Sequence, residues 1–312
     1  EYFIRFSACQ KEATLWAPAG YEVASEEFRL RNAIQKEKCP LGQTEIDVTP
    51  STGGYTVTGN DFSATFKNGT LSQYIYKGTP VIITPLKFNA FRTPTDNDKA
   101  HAEAWDNMGI RSMTQVPGTW TVNKADDGKS VTLTAVNVYN TTSSMSFTAN
   151  MAFKILSNGI IQVNSIVDPN NKGVVLPKIG FRFEMPKGFE QMKWFGRGPW
   201  DSYADRKESA LTGLYHSTVT DQWTNFVKPQ ETGNKEEVRW MCLNNGKVGA
   251  LIIAPQQMAT TVGHWRAEDL YINRNNRIAH PYQVHFTDSS VGSLDARNRA
   301  LGNASCGSDV LD

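Results

Sequence analysis

The chain of 312 residues has little cysteine, little histidine and no excess of charge of either sign. Its four cysteines, Cys9, Cys39, Cys242 and Cys306, are widely spaced and form no C-x-x-C pair. This argues against a zinc site and a disulfide scaffold, so we expect free and mostly buried thiols. Lys and Arg number 32 against 31 Asp and Glu. Without a basic run to follow phosphates, we expect no nucleic acid and no membrane as partners.

Long apolar runs are also absent, since no stretch approaches the ~20 apolar residues of a transmembrane helix. The first residues, from Glu1 to Phe6, lack the basic and apolar regions of a signal peptide and are typical of a strand in progress. We therefore expect both ends to be cut from a longer protein. The sequence leaves the compartment open between cytoplasm and periplasm.

In place of these features, aromatic and β-branched residues alternate with polar ones over short segments. Residues 55–58 and 62–66 have this period of two, and Asn68-Gly69 and Asn158-Gly159 are hairpin signals. Short strands at regular spacing, separated by Gly, Asn and Pro, predict an all-β fold of sandwich architecture. Helix signals are sparse, and only residues 101–109 predict a short helix, which ends at Gly109.

The chain divides at residues 36–54, which are rich in Lys, Pro, Thr, Ser and Gly and have weak periodicity. We predict that residues 1–35 are a remnant of a small β-sandwich, that 36–54 are a linker, and that 55–312 form a larger β domain. A few strands cannot bury their own apolar face. The remnant is therefore expected to be completed by preceding sequence or to dock on the larger domain.

The densest polar segment is FRTPTDND, residues 91–98. In an extended chain the carboxylates of Asp96 and Asp98 point to one side, which suits a cation or a network of sugar hydroxyls. The alternative is an Asx-type turn with Arg92 as its internal partner.

A second segment, WFGRGPWDSYADR at residues 194–206, combines aromatic rings with Arg and Asp. Because rings stack on the C–H faces of sugars and charged groups bind the hydroxyls, we predict possible carbohydrate contacts there. The candidates are Trp194, Arg197, Trp200 and Asp201. The alternative is a tight turn flanked by core aromatics.

Two further loops are predicted. Residues 226–235, FVKPQETGNK, indicate a polar loop in which a lone Glu231 is typical of a solvated residue. Residues 301–307, LGNASCG, indicate a small-residue loop with close backbone approach. Cys306 as a nucleophile would need a positioned histidine, for which the five histidines give no cue.

In their order, these segments resemble the last domain of large bacterial family-2 β-galactosidases. The resemblance lies in Arg92-x-Pro94-x-Asp96-Asn97-Asp98, in the run from Trp194 to Arg206, and in Phe226-Val227-x-Pro229-Gln230-Glu231-x-Gly233. Residues 15–24, LWAPAGYEVA, resemble the end of the immunoglobulin-like domain that precedes it. The resemblance covers essentially the whole chain.

The resemblance implies a large antiparallel β supersandwich, similar to galactose mutarotases, preceded by a partial immunoglobulin-like β-sandwich. It also implies a parent enzyme that hydrolyses terminal β-galactosides with retention, using two glutamates of a central (β/α) barrel. The chain has no alternating strand–helix units of such a barrel. We therefore expect no catalytic residue, no cofactor and no activity in this chain alone. The parent is expected to use Mg²⁺ and Na⁺, to be a homo-oligomer, and to pack its upstream domains on this one.

By the same resemblance, Arg92, Asp96, Asn97 and Asp98 lie close to the galactose site. Asn303 and Cys306 lie on the segment from which a Trp of the family reaches into that site. This chain has Cys306 and Gly307 there and no Trp.

The resemblance also implies a weak monovalent cation site, formed largely by backbone oxygens. Its candidate residues in this chain are Lys228, Pro229, Gln257 and Thr260.

Alternative functions remain open from the residues. A stand-alone carbohydrate-binding module is supported by an aromatic content of 11% and by the two loops that combine aromatics with Arg and Asp. A mutarotase-type epimerase needs a base such as His264, which stands beside Trp265 and Arg266. A structural or assembly domain is a further alternative.

Overall fold

The computed structural model describes residues 1–31, 41–224, 226, 230–270 and 300–305. Antiparallel β-sheets dominate, which confirms the predicted all-β fold. The chain forms two compact units, residues 1–40 and residues 41–312, which we call the small and the large unit. Within the described ranges, no helix combines the length and apolar character needed to cross a bilayer. Cys9 and Cys242 are free, but Cys9 is exposed and Cys242 is half-buried, so the expectation of buried thiols is wrong for these two.

The described strands, in chain order, are β1 (Tyr2–Cys9), β2 (Glu22–Arg31), β3 (Asp47–Ser51), β4 (Gly54–Thr58), β5 (Phe62–Lys67), β6 (Thr70–Tyr76), β7 (Thr79–Ile82), β8 (Lys87–Asn89), β9 (Thr114–Val116), β10 (Thr121–Lys124), β11 (Ser130–Asn140), β12 (Ser146–Leu156), β13 (Ile161–Pro169), β14 (Gly180–Met185), β15 (Gln191–Gly198), β16 (Leu211–Thr218), β17 (Lys235–Asn244), β18 (Gly249–Gly263) and β19 (Ala300–Ser305). The described helices are α1 (Lys99–Met108), α2 (Ala267–Leu270) and two 3₁₀ turns, Asp96–Asp98 and Thr220–Gln222.

The small unit is the antiparallel hairpin β1–β2. Ile4 pairs with Phe28, and the Phe6 and Phe28 rings meet edge to face with centroids 6.0 Å apart. These side chains make one apolar face, which stays exposed.

The large unit begins with a meander of order β3-β4-β5-β6-β7. Asn68 (φ 51°) and Gly69 (φ 76°) are both left-handed and join β5 to β6, as the Asn-Gly signal predicts. Strand β3 lies inside residues 36–54, the segment predicted to be a linker, and pairs with β4. It is an edge strand, which is where Pro50 is tolerated because proline cannot donate to a further strand.

A second sheet has the order β10-β11-β12-β13, with β9 also pairing with β11. Burial alternates along β11 and β12, so that Leu133, Phe147 and Phe153 face the core and the residues between them face outward. The β12–β13 hairpin turns at the predicted Asn158-Gly159, where Gly159 has φ 88°.

The third sheet has the order β16-β15-β17-β18-β19-β14-β8. Strand β19 pairs on both sides, Gly302 lying opposite Val262 of β18 and Phe183 of β14. The prediction of a loop at these residues is therefore wrong. Small residues carry no strand signal of their own, but the backbone ladder with two neighbours needs no large side chain. Cys306 and Gly307 lie outside the described residues.

The sheets of the large unit enclose one apolar core. The Phe66 and Phe153 rings are 5.3 Å apart, and the Phe88 and Phe147 rings are 4.9 Å apart, which joins β5, β8 and β12. Burying each such side chain contributes roughly 1.5–3 kcal/mol. Helix α1 confirms the predicted helix and ends at Gly109, whose φ of 68° forms the left-handed cap.

Candidate functional site

The segment from Arg92 to Asp98 folds as a tight turn rather than as an extended chain. Because Asp96–Asp98 is a 3₁₀ turn, the two carboxylates do not share a side, and that expectation is wrong. Asp98 points inward and accepts hydrogen bonds from Arg92 Nη1 at 2.6 Å and Nη2 at 2.9 Å. It also accepts from the Thr95 backbone N–H at 2.7 Å and the Thr95 hydroxyl at 2.8 Å. The alternative interpretation, an internal turn closed by Arg92, describes Asp98 correctly.

Asp96 and Asn97 point outward and join the turn to the two other motif loops. The Asp96 backbone N–H donates to Gln230 Oε1 at 3.2 Å, and Gln230 Nε2 donates to the Asp96 carboxylate at 3.3 Å. Asn97 Nδ2 donates to Asp205 Oδ2 at 2.9 Å. The three motifs, far apart in sequence, therefore meet at one place, which we call the motif rim and define by Asp96, Asn97, Asp205 and Gln230.

Arg92 anchors the rim from below. Its guanidinium lies 5.7 Å from the Trp105 ring centre and 5.9 Å from the Tyr203 ring centre, and its Nε donates to the Pro177 carbonyl at 3.3 Å. With Asp98, these contacts bind the guanidinium to helix α1, to the second motif and to the segment before β14. Arg92 is thus a positioning residue for the rim.

Buried charges lie beneath the rim. Lys178 is 8% exposed and Glu231 is 4% exposed, so the prediction of a solvated Glu231 is wrong because its loop turns inward. Burial lowers the pKa of Lys178, and the charge of Glu231 opposes that shift. Burial, reinforced by Glu231, raises the pKa of Tyr203 well above its ordinary value. Glu231 also accepts from the Thr261 hydroxyl at 3.4 Å. Sequence reasoning missed Lys178, whose sole signal is a lysine just before an apolar strand.

Trp194, predicted as a carbohydrate contact, is 1% exposed and has no face available for a sugar. Its Nε1 donates to the Arg197 carbonyl at 3.0 Å, and Lys235 Nζ lies 5.4 Å from its ring. Burial lowers the pKa of Lys235 to about 8. The alternative interpretation, a turn flanked by core aromatics, therefore describes Trp194.

Arg197 is also mostly buried. Its Nε lies 3.0 Å from Glu237 Oε1, and its Nη1 donates to the carbonyls of Lys207 at 2.9 Å and Ala210 at 3.2 Å. Since these groups close the second motif loop at its base, Arg197 holds the loop in shape.

Trp200 is 55% exposed and is the most exposed aromatic side chain of this motif. Asp201 lies next to it and accepts from Arg206 Nη2 at 3.2 Å. Arg206 in turn lies 5.3 Å from the Tyr203 ring centre. Trp200 therefore stands at the exposed end of a supported loop.

The remaining candidates lie mainly on the central strands. Thr260 is buried on β18, and within the described ranges its hydroxyl has no hydrogen-bond partner, which fits an oxygen-ligated cation. Gln257 is half-buried on the same strand, whereas Lys228 and Pro229 lie outside the described residues. Asn303 pairs with Thr261 on β19.

His264, the candidate base of an epimerase, is held at the surface of the large unit. Its Nε2 lies 3.0 Å from Glu190 Oε2 and 3.2 Å from the Thr220 hydroxyl. Among the residues that the structure describes, no three His, Cys, Asp or Glu side chains gather as metal ligands.

Comparison with known proteins places the chain in a family. Residues 58–312 match the model of the beta galactosidase small chain, and residues 1–31 match that of beta-galactosidase domain 4. Among curated relatives, the beta-galactosidase of Priestia megaterium is 28% identical over 260 residues, which cover 81% of this chain and 24% of the relative. That of Actinobacillus pleuropneumoniae is 28% identical over 248 residues, covering 79% and 24%. That of Arthrobacter sp. is 26% identical over 337 residues, covering 99% and 31%.

The chain spans about a quarter to a third of the length of these relatives. The small-chain model, however, matches well over half of this chain, across every motif of the rim. The chain therefore belongs to the β-galactosidase small-chain family.

Proposed function

We propose that the chain is the non-catalytic C-terminal part of a retaining family-2 β-galactosidase, in which it shapes the mouth of the active site and contacts carbohydrate. The observation that carries this proposal is the motif rim. Three loops distant in sequence are locked together by side-chain hydrogen bonds, and Asp96 and Asn97 stay exposed at their junction.

The chemistry of the rim suits a sugar. Carboxylate and amide groups form strong hydrogen bonds with hydroxyls, and an exposed ring such as Trp200 offers a stacking face. The Arg92–Asp98 pair fixes the backbone that carries Asp96 and Asn97, so the rim is ordered before a ligand arrives. The two catalytic carboxylates would come from a preceding barrel of the parent enzyme.

The remaining features of the proposal concern the parent enzyme. The weak monovalent cation site would include Thr260 and Gln257 of β18, with Lys228 and Pro229 as the further candidates, and Na⁺ would be its ion. The Mg²⁺ of the parent would bind in upstream domains. The parent would be a homo-oligomer whose upstream domains contact this chain.

Two experiments test the proposal. The purified chain is expected to leave a chromogenic β-galactoside intact, and measurable hydrolysis would overturn the non-catalytic role. In the full-length enzyme, Asn97→Ala is expected to raise KM by about two- to tenfold through loss of one hydrogen bond, with little change in kcat. The exposed Asn60→Ala is the matched control and should leave both constants unchanged. An unchanged KM in Asn97→Ala would contradict a contact between the rim and the substrate.

A further inference from the structure

One concave surface of the large unit shares no residue with the motif rim. It is an open cleft of about 470 Å³ between the turn at residues 50–55, Asn68 and the loop at residues 117–120. We call it the Trp120 cleft. Its volume lies within the range of roughly 300–1,000 Å³ that is usual for small-molecule sites.

The lining of the Trp120 cleft has a distinctive chemistry. The rings of Tyr55 and Trp120 and the prolines Pro50 and Pro117 supply apolar surface, and Thr119 supplies a hydroxyl. None of the described residues that line it is Asp, Glu, Lys, Arg or His. A charged ligand would lose hydration there without gaining a counter-charge. A neutral ligand that has both apolar C–H faces and hydroxyls fits, and that description is typical of saccharides.

The walls of the cleft are held in place by one buried side chain. Asn137, which is fully buried, donates from Nδ2 to the Gly69 carbonyl at 2.9 Å and accepts from the Gly118 N–H at 3.2 Å. Trp120 Nε1 donates to the Gly53 carbonyl at 3.3 Å. Three separate turns are thus tied together, so little ordering is left for binding.

Glycines make this close approach of the turns possible. A Cβ atom on Gly54 would lie 2.0 Å from the Phe66 carbonyl oxygen, and one on Gly118 would lie 2.0 Å from the Val136 carbonyl oxygen. Both contacts are with backbone, which cannot move aside. The bare backbone therefore lets Trp120 rest against Phe66, with ring centroids 6.0 Å apart, while it also lines the cleft.

We propose that the Trp120 cleft is a carbohydrate-binding site for a neutral saccharide, separate from the motif rim. A sugar ring would lie against Trp120 and Tyr55, and its hydroxyls would bond to Thr119 and to the polar groups of Asn68. This site does not depend on the proposed role at the active-site mouth, because it uses different turns of the large unit.

The test is calorimetric titration of the full chain with galactose, lactose and a β-linked galactose oligosaccharide. At least one is expected to bind with a Kd of about 1 mM. Trp120→Ala should weaken that binding by about tenfold or more through loss of the ring. Trp16→Ala, which removes an exposed tryptophan of the small unit, is the matched control and should bind as the unsubstituted chain does.

A second variant keeps the test decisive if Trp120→Ala does not fold. Thr119→Arg leaves the core contacts of Trp120 intact and puts bulk and charge into the exposed cleft, and it should weaken binding as strongly. No binding of the three sugars up to about 50 mM would overturn the site. Binding that survives Trp120→Ala and Thr119→Arg but is lost in Trp200→Ala would also overturn it, since the sugar would then lie at the second motif loop.

Discussion

Two hairpins of this chain have the same alternating sequence pattern but differ in how far their aromatic side chains are buried. In β1–β2 of the small unit, Phe6 alternates with polar neighbours and is 57% exposed. In β11–β12 of the large unit, Phe153 alternates in the same way and is 0% exposed. The difference is the second layer, because Phe153 packs on Phe66 of another sheet, whereas the ring partner of Phe6 is Phe28 within its own hairpin.

This contrast teaches that alternation identifies a strand and its apolar face but not its burial. Burial depends on a layer that comes from distant sequence. The presence of a second layer also decides whether charged side chains can lie in the interior. The layered large unit holds charges in its interior, such as Lys178 and Glu231. The small unit has its ion pairs at the surface, where solvent screens them.

The largest expected loss of stability comes from a substitution in the β11–β12 hairpin of the large unit. Phe153→Ala removes a ring that contacts Phe66 and Trp120, so the free energy of unfolding of the large unit should fall by about 4 kcal/mol. Urea unfolding monitored by circular dichroism measures this. Phe6→Ala is the matched control and should leave the transition of the large unit where it was. Equal losses from the two substitutions would refute the contrast.

A pH experiment examines the cost of a buried charge. Burial lowers the pKa of Lys235 from 10.5 to about 8, so between these values the unfolded state binds more protons than the folded state. Stability therefore rises with pH in that window, by up to about 3 kcal/mol, and the buried charge is fully destabilising below pH 8. Urea titrations at pH 7, 9 and 10.5 should show this rise in the unsubstituted chain.

Lys235→Met fills a similar volume without the charge and should remove the part of the rise that Lys235 causes, whereas Lys178, whose pKa is also lowered by burial, keeps its own part. Lys11→Met, at an exposed position of the small unit, is the control and should keep the pH profile of the unsubstituted chain. If Lys235→Met retained the full rise, another group would be responsible for it.

The third prediction compares two ion pairs. Asp98→Ala leaves the Arg92 guanidinium partly buried without its bidentate partner, which should cost about 3 kcal/mol of unfolding free energy. Arg5→Ala breaks the exposed Arg5–Glu22 pair of the small unit and should leave the unfolding midpoint unchanged. Urea midpoints of both variants measure the difference, and an unchanged midpoint in Asp98→Ala would show that the Arg92–Asp98 pair does not stabilise the large unit.

Local rules predicted much of the fold. Asn68-Gly69 favours a hairpin because both residues tolerate left-handed backbone, and Gly109 ends α1 for the same reason. Strand β19 escaped prediction because Ala300, Gly302 and Ala304 carry no β preference, and its place between β18 and β14 comes from its neighbours.

The site was predictable as a set of motifs but not as a geometry. The family resemblance identified the candidate residues Arg92, Asp96, Asn97 and Asp98. It did not predict the 3₁₀ turn that separates the two carboxylates, because hydrogen bonds of Thr95 and Arg92 form that turn. Trp194 matched the pattern of a carbohydrate contact but is buried, because it lies on the core face of β15, along which buried and more exposed residues alternate. Side-chain direction at a sheet is decided by strand register, which the sequence of one strand does not contain.

The smallest expected effect comes from comparing two glycines with left-handed backbone. One of them packs against other atoms, and the other faces open space. Gly109→Ala places a Cβ atom 2.9 Å from the Thr142 backbone nitrogen and 2.2 Å from its hydroxyl oxygen, in addition to the strain of φ 68°. It should cost about 2 kcal/mol, whereas Gly246→Ala, with φ 83° and no atom within 4 Å, should cost only the strain of about 1 kcal/mol. Urea midpoints of the two variants separate these contributions. Equal losses would show that Thr142 moves aside freely, and the contact of Gly109 with Thr142 would then contribute nothing to the cost.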